Sequence, residues 1–195
     1  MKILSAEFLL GAVSLNQLPD DQRKEIAFLG RSNVGKSSLI SFLCKRKQLA
    51  RSGGTPGKTR EINYYLINKR FYFVDLPGYG FARLPEQLRA SLASLIEGYL
   101  KERRTVACAI QVIDARHEPT PLDLMMIGWL DYYEIPFVVV LTKADKLPRS
   151  KVALRRSETE QFIRRYAACR GIVFSSVTNG EGRKEILNIL SDYVS

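Results

Sequence analysis

Gly30-Arg31-Ser32-Asn33-Val34-Gly35-Lys36-Ser37 fits the pattern G-x-x-x-x-G-K-[ST]. Upstream, Glu25-Ile26-Ala27-Phe28-Leu29 is short and apolar, as a strand buried in a parallel sheet should be. Downstream, Ser37-Ser38-Leu39-Ile40-Ser41-Phe42-Leu43 reads as the start of a helix. The two glycines let the backbone turn tightly and come close to a ligand. N–H groups of the loop and the helix N-terminus then point at phosphate oxygens. In this pattern Lys36 reaches the outer phosphates and the Ser37 hydroxyl meets Mg²⁺. A plain glycine-rich turn is the alternative, and the flanking strand and helix speak against it.

Two further signals follow in order. Asp75-Leu76-Pro77-Gly78 is a D-x-x-G that closes the apolar strand Phe71-Tyr72-Phe73-Val74. A carboxylate there can hold Mg²⁺ through water, and Gly78 lets a backbone N–H meet the γ-phosphate. Thr142-Lys143-Ala144-Asp145 is a T-K-x-D after the strand Pro136–Leu141. Asp145 can accept from guanine's ring N–H and exocyclic amine, a donor pair that adenine lacks. A buried carboxylate left unpaired is costly, so discrimination should be large. Lys143 would lay its aliphatic stem on the base. A helix N-cap is the other reading of Asp145.

Apolar runs alternate with amphipathic ones. Strands are expected near 25–29, 61–67, 70–75, 106–113, 136–142 and 171–175, and helices near 36–44, 86–101, 120–133, 151–168 and 183–193. This pattern predicts an α/β fold, a single domain over 1–195: a mostly parallel six-stranded sheet, helices on both faces, and one antiparallel edge strand from a hairpin around Asn68-Lys69-Arg70. Residues 1–24 form an N-terminal extension, in which Ala6–Val13 is either an extra strand or an extended arm. All the motifs fall at strand C-terminal ends, where ligands bind in open α/β sheets.

Composition is ordinary for a globular chain, with 46% apolar and 26% charged residues. No run is long enough to cross a bilayer, and Met1–Glu7 lacks the apolar core of a secretory signal, so a cytoplasmic protein without a membrane partner is expected. The three cysteines, Cys44, Cys108 and Cys169, are odd in number and far apart, which suits buried apolar roles. The single histidine, His117, excludes a histidine-built metal site and reads as a surface or turn residue. Net charge is +10. Positive residues cluster at Lys45–Lys47 with Arg51, Lys58 and Arg60, and again from Lys143 to Arg170. Such a surface attracts nucleic acid; a solvated helix face is the plainer reading.

The segments Gly30–Ile40, Thr55-Pro-Gly-Lys-Thr-Arg-Glu-Ile-Asn63, Asp75-Leu-Pro-Gly-Tyr-Gly-Phe-Ala82 and Thr142–Leu147 resemble the EngB family (also called YihA or YsxC), bacterial GTPases of the TrmE–Era–EngA–EngB–septin class. The resemblance covers nearly the whole chain. It implies a P-loop GTPase domain that is a Mg²⁺-dependent GTP hydrolase, with GTP or GDP held by Gly30, Arg31, Ser32, Asn33, Val34, Gly35, Lys36, Ser37 and Ser38. Gly57, Lys58, Thr59, Arg60 and Glu61 would add a switch segment, and Asp75, Leu76, Pro77 and Gly78 the γ-phosphate end. Thr142, Lys143, Ala144 and Asp145, with Phe174, Ser175 and Ser176, would hold the base, the two serines presenting backbone N–H groups to the guanine carbonyl. Lys36, Thr59 and Gly78 would carry catalysis. Ser37 and Thr59 would bind the metal, with Asp75 acting through water; Thr55 competes with Thr59. The implied role is assembly of the large ribosomal subunit, with rRNA and ribosomal proteins as partners, a link to cell division and septation, and a monomeric state.

Three positions depart from commoner GTPases. Tyr79 stands where many place a water-orienting Gln; a packing residue is the plainer reading, and slow intrinsic hydrolysis is expected. Asn33 resembles the Asn that coordinates K⁺ in potassium-stimulated relatives, or is a loop Asn tolerating unusual dihedrals. Thr142 replaces the Asn of N-K-x-D and should tie the base end to the phosphate loop less fully. An RNA-binding protein with a vestigial site and an ATP-using P-loop enzyme are the alternatives to a GTPase.

Overall fold

A computed structural model describes residues 1–46, 49, 61–80 and 85–195. Among them the strands β1 (Ala6–Ala12), β2 (Glu25–Gly30), β3 (Ile62–Ile67), β4 (Phe71–Asp75), β5 (Val106–Asp114), β6 (Phe137–Thr142) and β7 (Cys169–Phe174) form one sheet. Their order is β1-β3-β4-β2-β5-β6-β7. β4-β2-β5-β6-β7 pair in parallel, and β3 runs antiparallel to both β4 and β1. The expected six-stranded sheet therefore has a seventh strand, β1, which takes the edge outside β3.

Asn68 explains why β1 docks there. Asn68 and Lys69 have φ of 50° and 56°, and Arg70 N–H donates to Ile67 O at 2.9 Å. This two-residue turn has the hand that suits a hairpin. Its Asn68 carbonyl oxygen Oδ1 accepts from Leu4 N (2.7 Å) and Ser5 N (3.1 Å), while Nδ2 donates to Lys2 O (2.9 Å). The chain before β1 is thereby held at the hairpin, and Ala6 falls opposite Ile67.

Helices α1 (Lys36–Cys44), α2 (Glu86–Glu102), α3 (Pro121–Tyr132), α4 (Arg149–Ile163) and α5 (Arg183–Val194) cover both faces. Alternation along a strand sends neighbouring residues to opposite faces. Ile26 and Phe28 accordingly pack with Leu39 and Ile40 of α1 and Leu187 and Leu190 of α5. Ala27 and Leu29 pack with Ile96 and Tyr99 of α2 and Ile127 and Leu130 of α3. The fourth helix, expected to reach 168, stops at Ile163. Tyr166 N–H turns back to Ile163 O (2.9 Å), and Ala168 N–H donates to the Asp131 carboxylate of α3 (2.8 Å). Tertiary hydrogen bonds end this helix without a glycine or proline. The three cysteines are free; burial pushes the Cys44 and Cys108 thiols up to about 12, as for inert core groups. His117 is exposed in the turn after β5.

Glu25 opens a strand read as apolar, yet it is a fully buried carboxylate. It accepts from Tyr64 Oη (2.9 Å), Tyr99 Oη (2.7 Å) and Thr105 Oγ1 (2.7 Å) and is paired with Arg103 at 2.7 Å. These donors come from β3, α2 and the approach to β5, so one charge ties three elements to the central strand. Glu25→Ala leaves the Arg103 guanidinium and two buried phenols without their acceptor and should cost about 3–5 kcal/mol. Urea denaturation measures it; a loss below about 1 kcal/mol would mean the network contributes no more than one ordinary hydrogen bond.

Candidate functional site

At β2 the sheet's order changes direction, with β4 on one side and β5 on the other. The C-terminal edge at such a point is a crevice in which open α/β sheets bind ligands. Gly30, Asp75, Asp114, Thr142 and Phe174 close β2, β4, β5, β6 and β7 at that edge.

Between β2 and α1 the chain makes its phosphate-loop turn. Gly35 caps α1 with φ 100°, a conformation that a side chain would strain. Asn33 has φ 64°, which Asn tolerates. The D-x-x-G segment lies directly against this loop. Ser32 N–H donates to Tyr79 O (3.0 Å) and Tyr79 N–H to Gly30 O (3.4 Å). A Cβ on Gly78 would stand 3.1 Å from Ser32 Oγ, so a side chain there would crowd the phosphate loop. Ser32 Oγ is buried with no hydrogen-bond partner among the described residues. Val34 is buried, and Ser38 is exposed on the first turn of α1.

The Lys36 ammonium is nearly buried and so is the Asp75 carboxylate, at 6% and 2% exposure. They form an ion pair, and Lys36 Nζ also donates to Leu76 O at 2.6 Å. Ser37 Oγ lies 3.4 Å from Asp75 Oδ2. A hydroxyl, a carboxylate and an ammonium thus meet within one pocket. Leu76 N–H pairs with Phe28 O (3.1 Å), extending the β2–β4 ladder by one bond and setting where Pro77 and Gly78 emerge.

The base-end motif is tied to the phosphate loop. Thr142 Oγ1 lies 2.5 Å from Val34 O and 3.1 Å from Ile113 O, so its single proton is shared between them. Lys143 Nζ donates to Asn33 O (2.7 Å) and pairs with Asp114 Oδ2 (2.9 Å). Arg116 grips the same carboxylate through Nε (2.9 Å) and Nη2 (2.7 Å). Burial works against the charged Asp114, but the bonds from Arg116 and Lys143 outweigh it and hold the carboxyl well below the usual range. Asp145 is exposed, where a buried carboxylate was expected; Ser176 Oγ donates to it at 2.7 Å and holds its carboxyl below the ordinary value.

The N–H groups of Ser175 and Ser176 are paired within the protein. Ser175 N–H donates to Leu141 O (2.8 Å) and Ser176 N–H to Glu181 O (3.2 Å), because β7 continues its ladder and the following turn closes on itself. What Ser176 directs at the base-end motif is its hydroxyl. Ser175 O accepts from Ala144 N–H (3.1 Å), which joins the two loops, and Phe174 is buried under them. Glu61 is exposed just before β3, whose Asn63 stands opposite Asp75. Thr55, Gly57, Lys58, Thr59 and Arg60 lie outside the described residues.

Asp114, Arg116, Gln111 and Asp123 were not anticipated at the site, and Tyr79 packs in the core. Asp114 closes β5 as Asp75 closes β4, with Arg116 in the turn after it, so an acidic strand end was the signal. Tyr79 is buried, its phenol donating to Asp123 Oδ1 (2.8 Å) and accepting from Gln111 Nε2 (2.5 Å). Burial, then Asp123, raises that phenol well above its ordinary value. Gln111 is a fully buried polar residue within the apolar run of β5.

A phosphate loop, a D-x-x-G and a T-K-x-D converging on one edge of this sheet define a P-loop GTPase domain. A family model described as a 50S ribosome-binding GTPase matches residues 25–143. The chain is 46% identical over 185 residues to the probable GTP-binding protein EngB of Geobacillus thermodenitrificans, covering 95% of this chain and 94% of that one. It is 43% identical to the EngB of Clostridium kluyveri, over 100% and 98% of the two chains. A crystal structure of a probable GTP-binding protein EngB superposes with TM-score 0.71 at 25% identity, over 87% of this chain and 98% of that one. Era, crystallised with MgGDPNP and a segment of 16S ribosomal RNA, shares the fold with TM-score 0.71 at 23% identity, over 88% and 57% of the respective chains. The chain belongs to the EngB family of GTPases. No helix among the described residues is long and apolar enough to cross a membrane.

The Asp114 clamp has a pH signature. A carboxyl with a depressed folded-state pKa stabilises the fold above its unfolded value of about 3.9, and that contribution is lost as pH falls toward the folded value. Lys143→Met should raise the Asp114 midpoint, and adding Arg116→Leu should raise it further. Carboxyl ¹³C NMR titration reads both; an unmoved midpoint in the double variant would remove these cations as its cause.

Proposed function

We propose that this edge binds GTP and GDP with Mg²⁺ and that the γ-phosphate acts as a switch controlling attachment to the large ribosomal subunit or its precursor. The observation that carries the reading is the junction of Lys36, Asp75 and Lys143 with the phosphate loop in one hydrogen-bonded edge. Lys36 would exchange its carboxylate partner for phosphate oxygens. Ser37 and Asp75 offer hard oxygen donors 3.4 Å apart, which suits a Mg²⁺ held by few protein groups and by substrate phosphates. Bound there, the ion would neutralise charge developing on the β- and γ-phosphates. Thr59 would complete the metal site and, with Gly78, the γ-phosphate end, with K⁺ beside Asn33 as a second cation. Asp145 would read guanine, and its exposed, Ser176-bonded carboxylate faces outward from the fold. Tyr79 is buried and cannot take the place of the water-orienting Gln, so hydrolysis would be slow and rest on positioning and charge.

The ribosomal side of the reading rests on the family and on charge. Lys151 and Arg156 on α4, and Arg164, Arg165 and Arg170 after it, are exposed. Arg165 lies over the rings of Phe162 (4.8 Å) and Tyr166 (5.5 Å), a stacked cation of the kind that RNA contacts use. Arg155 turns aside to Glu158 at 3.1 Å. The proposed setting is cytoplasmic assembly of the large subunit by a monomer, with cell division and septation depending on it. Intact Lys36, Ser37, Asp75 and Asp145 argue against a vestigial site, and Asp145 against ATP.

Lys36→Ala should abolish triphosphate binding, and Asp145→Asn should weaken GTP by on the order of a hundredfold or more while favouring xanthosine nucleotides. Calorimetry tests both; wild-type protein that binds ATP as well as GTP would end the guanine reading. Co-sedimentation with large-subunit particles under a GTP analogue and under GDP tests partner and switch together. Reversing Arg164 and Arg165 should weaken association and flatten its log-log salt dependence by roughly 0.7 to 0.9 per lost phosphate contact, with GTP affinity unchanged. Association unaltered by that reversal would place the ribosome on another face.

A further inference from the structure

We propose that Tyr79 is a positioning residue of this GTPase: its phenol anchors the backbone beside Gly78 to α3 and β5 and so sets the γ-phosphate end of the site. The inference rests on the nucleotide reading above and adds a residue that the motifs do not assign.

Tyr79 links the phosphate loop to α3, which the β2–β5 pairing of Gly30 with Val112 does not reach. Its main chain lies against the phosphate loop, bonded to Gly30 and Ser32 and paired with Arg31. Its side chain runs into the core, where only 9% of the residue is exposed. There Gln111, fully buried on β5, donates to the phenol, and the phenol donates to Asp123, 2% exposed on α3. Asp123 is itself fixed. Its Oδ2 accepts from Thr120 N (2.8 Å) and Thr120 Oγ1 (2.7 Å) in a capping box at the start of α3. The residue following Gly78 is therefore pinned at both ends, by backbone to the loop and by a charge-assisted hydrogen bond to a capped helix.

This geometry leaves Tyr79 no means of orienting a water at the site. Its hydroxyl is committed in the core, and what it controls is the path of the chain through Gly78. Gly78 packs closely on Ser32, where an added Cβ would stand 3.1 Å from the Ser32 hydroxyl, so a small shift of the chain alters that contact first. The β-phosphate and base ends are held by other groups, Lys36, Thr142 and Lys143. Loosening Tyr79 should weaken the response to the third phosphate and spare binding of the diphosphate.

Tyr79→Phe keeps the ring and removes the hydroxyl. Its affinity for a non-hydrolysable GTP analogue, measured by calorimetry, should fall about tenfold relative to GDP, with a similar fall in the single-turnover rate. The same variant leaves the Gln111 amide and an Asp123 oxygen unpaired in the core. Tyr79→Phe with Gln111→Leu should regain part of the urea stability, that lost at the Gln111 amide, without regaining the GTP-to-GDP ratio. Asp123→Asn, which leaves the tyrosine intact, should shift the ratio in the same direction by less. Equal loss of both nucleotides in Tyr79→Phe, an unchanged ratio, or a ratio that returns with stability in the double variant would overturn the proposal. Wild-type protein binding neither nucleotide would instead overturn the reading on which it rests.

Discussion

A buried ammonium must have an acceptor, and here one constraint of that kind organises the functional edge. Lys36 begins α1 and Asp75 ends β4, with both charges almost out of solvent. Either one alone would be a costly isolated charge, and the loss of one partner is the expensive case for a buried pair. Their pairing draws the phosphate loop onto the D-x-x-G segment. The Leu76 carbonyl supplies a second acceptor to Lys36, so the contact includes backbone as well as side chain. At the other end of β2 the Glu25 carboxylate is met by two phenols, a hydroxyl and a guanidinium. The central strand is thus held at both ends by a satisfied buried charge, and the apolar layers between them share a common frame.

What could be read in advance was local. A phosphate loop, a D-x-x-G and a T-K-x-D have fixed spacing because their backbone geometry and their chemistry lie within a few residues, and each fell at a strand end as expected. The hairpin at Asn68 was legible for the same reason. What escaped depends on partners distant in sequence. Glu25 looks like the polar margin of an apolar strand until Tyr64, Tyr99 and Arg103 arrive from elsewhere. The end of α4 carries no glycine or proline because Asp131 on another helix captures the Ala168 amide. The N–H groups of Ser175 and Ser176 continue β7 and close the next turn, pairings set by Leu141 and Glu181. The edge strand β1 was left open because its docking depends on three bonds from one Asn side chain in a positive-φ turn.

The replacement of Asn by Thr at the head of T-K-x-D shows how a lost hydrogen bond can be redistributed. An Asn amide has two N–H donors; Thr142 has one proton, shared between Val34 O and Ile113 O. On that count the tie between base end and phosphate loop should be weaker. The structure adds Lys143, whose ammonium takes Asn33 O, the carbonyl immediately before Val34. Two successive loop carbonyls are therefore held from one motif, by a hydroxyl and a cation. Lys143 in turn is fixed by Asp114, and Asp114 by Arg116. Together with the Tyr79 pairing at Gly30 and Ser32 and the Lys36 bridge to β4, the loop is gripped from three directions. A loop fixed in this way loses little conformational freedom when it closes on a ligand. Its affinity then depends less on Thr142 alone than on the whole chain of contacts from Arg116 to Val34.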